Sequence, residues 1–133
     1  YYMGSPPNES YWKVGIRHPR KKDQILKTLL LKNQAVSTSS DDEQYFIHEG
    51  VRYAHIINPK TGYPSQEGIT ATVTASTATE ADALSTTALL LKNDEIEKVL
   101  NHFEEVYILK VDEVSQLIHS TELRSPPSIS PSQ

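Results

Sequence analysis

The chain of 133 residues is long enough for one domain with its own hydrophobic core, and its 37% apolar and 23% charged residues are ordinary for a globular domain. A formal net charge of −4 excludes the basic footprint of a typical nucleic-acid-binding domain. The absence of cysteine excludes a disulfide framework, a thiolate metal site and a cysteine nucleophile. The one basic run, residues 17–22, is interpreted as a solvated loop.

The start of the chain carries no recognisable targeting signal. Residues 1–5 have neither the basic nor the apolar region of a signal peptide, and the longest nearly apolar run is too short to span a bilayer. Because the first residue is Tyr1 and not methionine, we expect the sequence to be a fragment or a processed product.

The first elements show the alternation that is typical of half-buried strands. Trp12, Val14 and Ile16 alternate with polar or small residues and predict a strand over 11–17. Residues 23–32 fit the spacing of either a short helix or a strand, and we favour the strand.

The middle of the chain is expected to begin with a short extended segment at 35–37, which the Ser/Thr/Asp cluster 37–42 should break. This cluster has no Gly-x-Ser-x-Gly elbow and no P-loop lysine, so we reject a serine hydrolase. Residues 45–53 are rich in aromatic and β-branched residues around a Glu-Gly pair, which predicts two strands joined by a tight turn.

A clear strand and a clear helix follow in the second half. Residues 69–77 alternate strictly and predict a strand, after which the period changes to that of a helix over 79–92. Asp94 is predicted to be the N-cap of a second helix, and 105–111 to be a strand.

The end of the chain is less specific. Residues 113–119 fit either a helix or a last strand, and the Pro/Ser-rich residues 121–133 predict a disordered tail. We therefore expect an α+β domain over residues 1–120, followed by that tail.

The densest local signal is at residues 53–64, which read Tyr-Ala-His-Ile-Ile-Asn-Pro-Lys-Thr-Gly-Tyr-Pro. A strand here runs into a turn that the prolines and Gly62 make rigid, and His55 lies at the junction. His55 fits a proton shuttle, a phosphate ligand or a hydrogen-bonded structural residue. Thr61 and Gly62 either offer a hydroxyl and an amide to an anion or form a plain turn.

Asp82 and Thr86 lie four residues apart on the predicted helix and therefore share one face. A carboxylate and a hydroxyl are hard oxygen donors, which suit Mg²⁺ completed by water and a substrate phosphate. The alternative is structural, because residues 79–82 have the form of a capping box in which Asp82 would only satisfy amide groups at the helix start.

Three stretches in the right order resemble the ApbE family of flavin transferases. They are the segment 55–64, the segment 79–88 that reads Thr-Glu-Ala-Asp-Ala-Leu-Ser-Thr-Thr-Ala, and the segment 35–41 followed by an aromatic pair at 45–46. Ser40 stands where the family usually has glycine. The resemblance runs from about residue 12 to residue 111 and covers roughly the second half of a usual member.

The resemblance implies a mostly antiparallel sheet with two or three helices, like the C-terminal part of the ApbE fold. It implies Mg²⁺-dependent processing of FAD, either by transfer of FMN to a threonine of an acceptor flavoprotein or by hydrolysis to FMN and AMP. By position, Asp82 and Thr86 match the family's metal ligands, and His55 is expected to contact the flavin phosphate and to be catalytic. Thr61 and Gly62 are expected to bind the flavin cofactor.

The resemblance also implies that a part is missing. The family's first half carries a Gly-x-x-x-Lys-Gly-Tyr-Ala-type segment with further flavin contacts and another metal ligand, and this sequence does not contain it. A companion chain that completes the site is one interpretation, and a degenerate relative is another. Members are commonly tethered to a membrane outside the cytoplasm. A flavin-binding module without turnover and a structural half-domain that docks on a partner stay open as alternatives.

Overall fold

The computed structural model describes residues 1–41, 44–114 and 117–122, without the side chains of Lys22, Arg52 and residues 113 onward. The described elements in chain order are β1 (Trp12–His18), β2 (Lys21–Leu31), β3 (Ala35–Ser40), β4 (Tyr45–His48), β5 (Val51–Ala54), β6 (Thr70–Ala75), α1 (Ala78–Leu90), α2 (Asn93–Leu100), β7 (Tyr107–Val114) and β8 (Leu117–Glu122). This is the expected α+β architecture with mostly antiparallel strands and two helices.

The central sheet has the strand order β3-β6-β7-β8 and is antiparallel throughout. Strand β6 lies in the interior, and every one of its residues is buried. Because side chains alternate along a strand, Ala71 and Val73 face one side of the sheet and Thr72 faces the other, where its hydroxyl contacts Thr38 at 2.8 Å. The sheet therefore needs a covering layer on both faces.

Helices α1 and α2 cover one face of the sheet. The core on this side contains small residues of β6 and α1, which allow a close approach, and larger residues of α2 and β7; among its members are Ala71, Val73, Ala75, Ala81, Leu84, Ala88, Ile96, Leu100 and Ile108. The β1–β2 hairpin covers the opposite face, where Ile16, Leu29 and Leu31 pack with Tyr107 and Leu109. The domain thus has three layers with the sheet in the middle.

A buried lysine makes a hydrogen bond to the C-terminal end of α1. Lys110 on β7 is 2% exposed, and its Nζ donates to the Leu91 carbonyl at 2.7 Å. A cation at the end of a helix is favourable because the last carbonyl groups carry partial negative charge. Burial lowers the pKa of Lys110 below its ordinary value, although the nearby carboxylates of Glu67, Asp112 and Glu95 act in the opposite direction.

The β4–β5 hairpin pairs separately from the sheet, as the aromatic and β-branched pattern predicts. Glu49 and Gly50 form its tight turn with φ of 50° and 76°, so both central residues adopt the left-handed conformation. The ring of Phe46 stacks on Tyr53 with centroids 5.1 Å apart, yet Phe46 stays 62% exposed.

The basic run at 17–22 is not a solvated loop, so that interpretation is wrong. His18 pairs with Lys21 across a tight connection between β1 and β2. Arg20 in this turn forms two charge-assisted hydrogen bonds with the carboxylate of Asp41, at 2.9 and 2.8 Å. The two N–H groups of the planar guanidinium match the two oxygens of the carboxylate, and this bidentate contact fixes the Arg20 side chain.

The Ser/Thr cluster does not break the strand that contains it. Strand β3 continues to Ser40, since each of its residues has a partner on β6 and its hydroxyl groups find acceptors. Ser40, at the position where the family usually has glycine, is buried in extended backbone that does not require glycine.

The helix predicted at 79–92 is confirmed as α1, whereas Asp94 is not the N-cap of α2. That helix begins at Asn93 with Lys92 as its N-cap. The reason is local, because the Glu95 carboxylate accepts the backbone N–H of Lys92 at 3.0 Å and so fixes the start earlier.

At the C-terminal end, the ambiguous segment 113–119 is strand where it is described, as the last residues of β7 and the first of β8. The predicted tail starts too early, since Thr121 and Glu122 pair with β7. Residues 123–133 lie outside the described residues. Among the described helices, neither is long and apolar enough to cross a membrane.

Candidate functional site

Polar side chains meet where β3 faces the second and third turns of α1. Ser37 and Ser39 point to the same side of β3 because they are two residues apart. The Ser37 hydroxyl donates to Asp82 Oδ1 at 3.3 Å, and the Ser39 hydroxyl lies 3.1 Å from Thr86 Oγ1. The helix face that carries Asp82 and Thr86 therefore packs against Ser37 and Ser39 of β3.

Asp82 has no part in the capping of α1, so the structural alternative for this residue is wrong. The N-cap is Thr77, whose hydroxyl accepts the Glu80 N–H at 3.2 Å, while Glu80 Oε2 accepts the Thr77 N–H at 3.2 Å. The capping box thus lies two residues before the predicted one. Because Thr77 and Glu80 make the capping contacts, the exposed Asp82 carboxylate is available for a different role.

A small cavity of about 310 Å³ opens beside this contact. It is lined by Ser39, Ser40, His55, Ile56, Ile57, Thr86 and Leu90. His55 and Thr86, which are far apart in sequence, therefore border the same space. Asp82 does not line the cavity and lies one helical turn away from Thr86.

His55 is oriented by the backbone at the entrance to the β4–β5 hairpin. Its N–H and its ring Nδ1 lie 3.0 and 3.1 Å from the carbonyl oxygen of Gln44. Because a carbonyl oxygen can only accept, Nδ1 carries a proton, and the neutral ring keeps its lone pair on Nε2. The exposed imidazole is thus arranged as a proton acceptor through Nε2.

The rigid turn after His55 is held together by Asn58. The amides of Thr61 and Gly62 both donate to the Asn58 carbonyl, at 3.2 and 2.8 Å, and Gly62 has φ of 73°. The Gly62 amide that we expected to face an anion is therefore engaged within the turn. The Thr61 hydroxyl accepts the N–H of Tyr63 at 3.3 Å.

A larger cleft of about 750 Å³ is lined in part by Ala54 and Asn58, at the two ends of segment 54–58. Thr61 lines it, together with the Arg20–Asp41 pair, Tyr53 and Tyr63. Its volume is in the range of small-molecule sites, which typically span about 300–1,000 Å³. Thr61 thus lines a different cavity from His55 and Thr86.

Sequence reasoning missed Ser39, Ser85 and the Arg20–Asp41 pair. The alternation of Ser37 and Ser39 within an extended segment is a signal that both face one side, but only the strand register shows that α1 lies opposite. Arg20 and Asp41 are 21 residues apart, and nothing in the sequence links them.

The donor set at β3 and α1 fits a hard divalent cation. It consists of one carboxylate and neighbouring hydroxyl oxygens, without sulfur or imidazole at bonding distance in the described contacts. Mg²⁺ prefers such ligands and usually keeps several waters and phosphate oxygens. In the described part of the chain, no three His, Asp or Glu side chains cluster as a closed metal site. Further ligands would have to come from a bound phosphate, from water or from another part of the fold.

Comparison with known proteins identifies the class. A model of the ApbE family matches residues 1–109. The FAD:protein FMN transferase of Treponema pallidum is 35% identical over 94 residues, which are 69% of this chain and 26% of the relative. The enzyme of the same name from Haemophilus influenzae is 34% identical over 106 residues, which are 76% of this chain and 31% of the relative.

A crystal structure supports the same assignment. The ApbE protein of Thermotoga maritima is 35% identical and superposes with a TM-score of 0.70 over 80% of this chain and 36% of that protein. The chain belongs to the ApbE family. It spans about a quarter to a third of the length of the two relatives.

Proposed function

We propose that this chain carries the metal and diphosphate site of an FAD-processing enzyme that transfers FMN from FAD to a threonine of an acceptor protein. Hydrolysis of FAD to FMN and AMP is the same reaction with water as the acceptor. The observation that supports the proposal is the shared cavity of His55 and Thr86, with Asp82 on the same helix face one turn away. FAD:protein FMN transferase is the name of both relatives compared above.

Asp82 and Thr86 would hold Mg²⁺ through a carboxylate oxygen and a hydroxyl oxygen. When bound, the ion would neutralise charge that develops on the diphosphate. The cavity beside Thr86 would then receive the phosphate groups, and the larger cleft lined by Thr61 would receive another part of the dinucleotide.

His55 would act as the general base. A hydroxyl oxygen of the acceptor forms a bond to the phosphorus atom of the FMN portion, and the bond between that phosphorus and the bridging oxygen breaks. AMP leaves with the bridging oxygen, and the hydroxyl proton passes to His55 Nε2, which the Gln44 carbonyl keeps unprotonated in the neutral ring.

We propose that the remaining flavin contacts and a further metal ligand come from another part of the ApbE fold, either a companion chain or a segment of the same protein. The short span of the chain relative to its relatives supports this. A location outside the cytoplasm, tethered to a membrane, is proposed from the family resemblance alone, and fractionation of cells would test it.

The test is incubation of the chain with FAD and Mg²⁺, alone and together with the remaining part of an ApbE fold. AMP and FMN are quantified by chromatography, and a threonine-containing acceptor peptide is analysed for FMN by mass spectrometry. Release of AMP with modification of the peptide supports transfer. If FAD binds but no AMP or FMN is released, the chain is a flavin-binding module without turnover. If FAD shows no Mg²⁺-dependent binding, either to the chain alone or with the remaining part of the fold, the chain is a structural half-domain.

A further inference from the structure

The hydroxyl groups between β3 and α1 form a chain in which each hydrogen bond can run in only one direction. Ser85 is fully buried, and its hydroxyl donates to the Asp82 carbonyl at 2.9 Å. Since a hydroxyl has one proton and a carbonyl can only accept, the Ser85 proton is committed to this bond. Its contact with Ser37 is longer, at 3.5 Å, and its contact with Ser39 is one in which either hydroxyl could be the donor.

The commitment of Ser85 fixes the next two bonds. Ser85 Oγ lies 2.8 Å from Ser39 Oγ and must accept there, so the Ser39 proton points to Ser85. Ser39 Oγ is 3.1 Å from Thr86 Oγ1 and, with its own proton used, can only accept. The proton of Thr86 is therefore directed to Ser39.

The consequence concerns the oxygen of Thr86. With its proton turned toward Ser39, Thr86 Oγ1 presents its lone pairs away from that contact, and Thr86 borders the small cavity. A cation needs a lone pair, whereas a hydroxyl free to rotate can turn its proton toward the ion.

We propose that Ser39 and Ser85 are positioning residues, which through this hydroxyl relay hold Thr86 as an acceptor-only ligand for a divalent cation. The relay consists of Thr86, Ser39 and Ser85 in that order. It rests on the proposed function, because it concerns the same metal site. Partners behind metal ligands orient the donor atoms, and their removal typically weakens metal binding by about 10- to 100-fold.

The experiment measures Mn²⁺ affinity by electron paramagnetic resonance in the full chain, with and without FAD. Mn²⁺ is a suitable probe since it accepts the oxygen ligands of Mg²⁺. Ser39→Ala should raise the Mn²⁺ dissociation constant about 10-fold or more, and Ser39→Thr, which restores a hydroxyl, should recover most of the affinity. Circular dichroism of each metal-free variant shows that the chain is folded at the temperature of the titration.

Thr38→Val is the matched control. Thr38 is next to Ser39 on the same strand, but its hydroxyl faces the other side and contacts Thr72 at 2.8 Å. The substitution removes a hydroxyl of the same strand without touching the relay, so the Mn²⁺ affinity should stay unchanged. Ser85→Ala cuts the relay at its other end and should weaken binding as well, which provides a second measurement if Ser39→Ala does not fold.

The outcomes separate the relay from the metal site itself. If Asp82→Ala abolishes Mn²⁺ binding while Ser39→Ala and Ser85→Ala bind as the wild type does, the relay is refuted and the metal site stands. An equal loss in Thr38→Val would also refute it, since the effect would then belong to the strand. If the wild-type chain binds no Mn²⁺ with or without FAD, both alone and together with the remaining part of an ApbE fold, the proposed function and the relay are both refuted.

Discussion

Asp82 is the residue whose role the structure clarifies most, because the capping box of Thr77 and Glu80 leaves its carboxylate free of a capping duty. Asp82→Ala should abolish Mn²⁺ binding and should change the free energy of unfolding by less than about 0.5 kcal/mol, as for an exposed position. The measurements are metal titration and urea denaturation of the same preparations.

Thr77→Ala is the matched control for Asp82, on the same helix. The substitution removes the N-cap and should cost about 1 kcal/mol of stability, while the Mn²⁺ affinity stays unchanged. The prediction is contradicted if Asp82→Ala loses as much stability as Thr77→Ala and still binds Mn²⁺. Asp82 would then have a structural role.

His55→Ala tests the general base. The ring is exposed and its described hydrogen bond goes to a backbone carbonyl, so the fold should be kept while AMP release from FAD falls about 10²- to 10⁴-fold. His48→Ala, at an exposed position of the neighbouring β4–β5 hairpin, should release AMP at the wild-type rate. Equal rates for both variants would remove His55 from the reaction.

Lys110 gives stability a dependence on pH. Since burial lowers its pKa in the folded chain, the unfolded chain holds this proton more tightly in the alkaline range. The free energy of unfolding therefore rises as the pH approaches the ordinary lysine value of 10.5, and the cost of the buried charge is fully present at lower pH.

Lys110→Met should remove this part of the alkaline rise in a series of urea denaturations at increasing pH. Lys98→Met, at an exposed position of α2, should leave the slope of the wild type intact. If the slope persists in Lys110→Met, the proton that is released on folding belongs to another group.

Between elements, the contact of β7 with the end of α1 depends on the space at Gly68. A Cβ at this position would lie 2.8 Å from Lys110 Cε and 3.2 Å from Leu89 Cδ2. Gly68→Ala should therefore cost about 1–3 kcal/mol of unfolding free energy through overpacking. Denaturation of the single variant measures the cost.

A double-mutant cycle tests whether the cost of Gly68→Ala comes from the contact with Lys110. In the background Lys110→Ala, the substitution Gly68→Ala should cost clearly less, because the nearest obstacle is gone. Gly50→Ala is the control: its Cβ would meet nothing within 4 Å, and its φ of +76° makes the substitution costly by backbone strain alone. That cost should be the same with and without Lys110.

The helices and strands could be predicted from the sequence where a single local pattern, such as alternation, helical spacing or a turn pair, determines the structure. The strict alternation before residue 76 and the change to helical spacing after it correctly predict β6 and α1, and the Glu-Gly pair predicts the β4–β5 turn. The extent of β3 could not be predicted from its serines, because their hydrogen-bond partners lie on β6 and α1. Tertiary pairing there outweighs the preference of serine for turns.

For the whole molecule, the sequence predicts the single side chains of the candidate site better than their arrangement. The resemblance to the ApbE motifs points to His55, Asp82 and Thr86, and the structure places His55 and Thr86 around one cavity. The separation of Thr61 into a second cleft and the contact of Ser39 with Thr86 depend on strand register and helix packing. Neither can be read from positions along the chain.

Metal binding should also stabilise the whole domain. The proposed ligands and their supporting serines come from β3 and α1, so the unfolded chain cannot present them together. At a Mn²⁺ concentration of 100 times the dissociation constant, linkage adds about 2.7 kcal/mol to the free energy of unfolding. The melting temperature should therefore rise with Mn²⁺ in the wild type and stay constant in Asp82→Ala.

The distance between the two halves of the site has a consequence during synthesis. Ser37 precedes Asp82 by 45 residues, which a ribosome adds in roughly 2–9 s at its usual rates. For most of that interval the nascent β3 lacks a complete β6, and throughout it the strand lacks a complete α1. Its Ser-Thr-Ser-Ser sequence is polar, so the waiting strand offers few apolar side chains for association with other emerging chains.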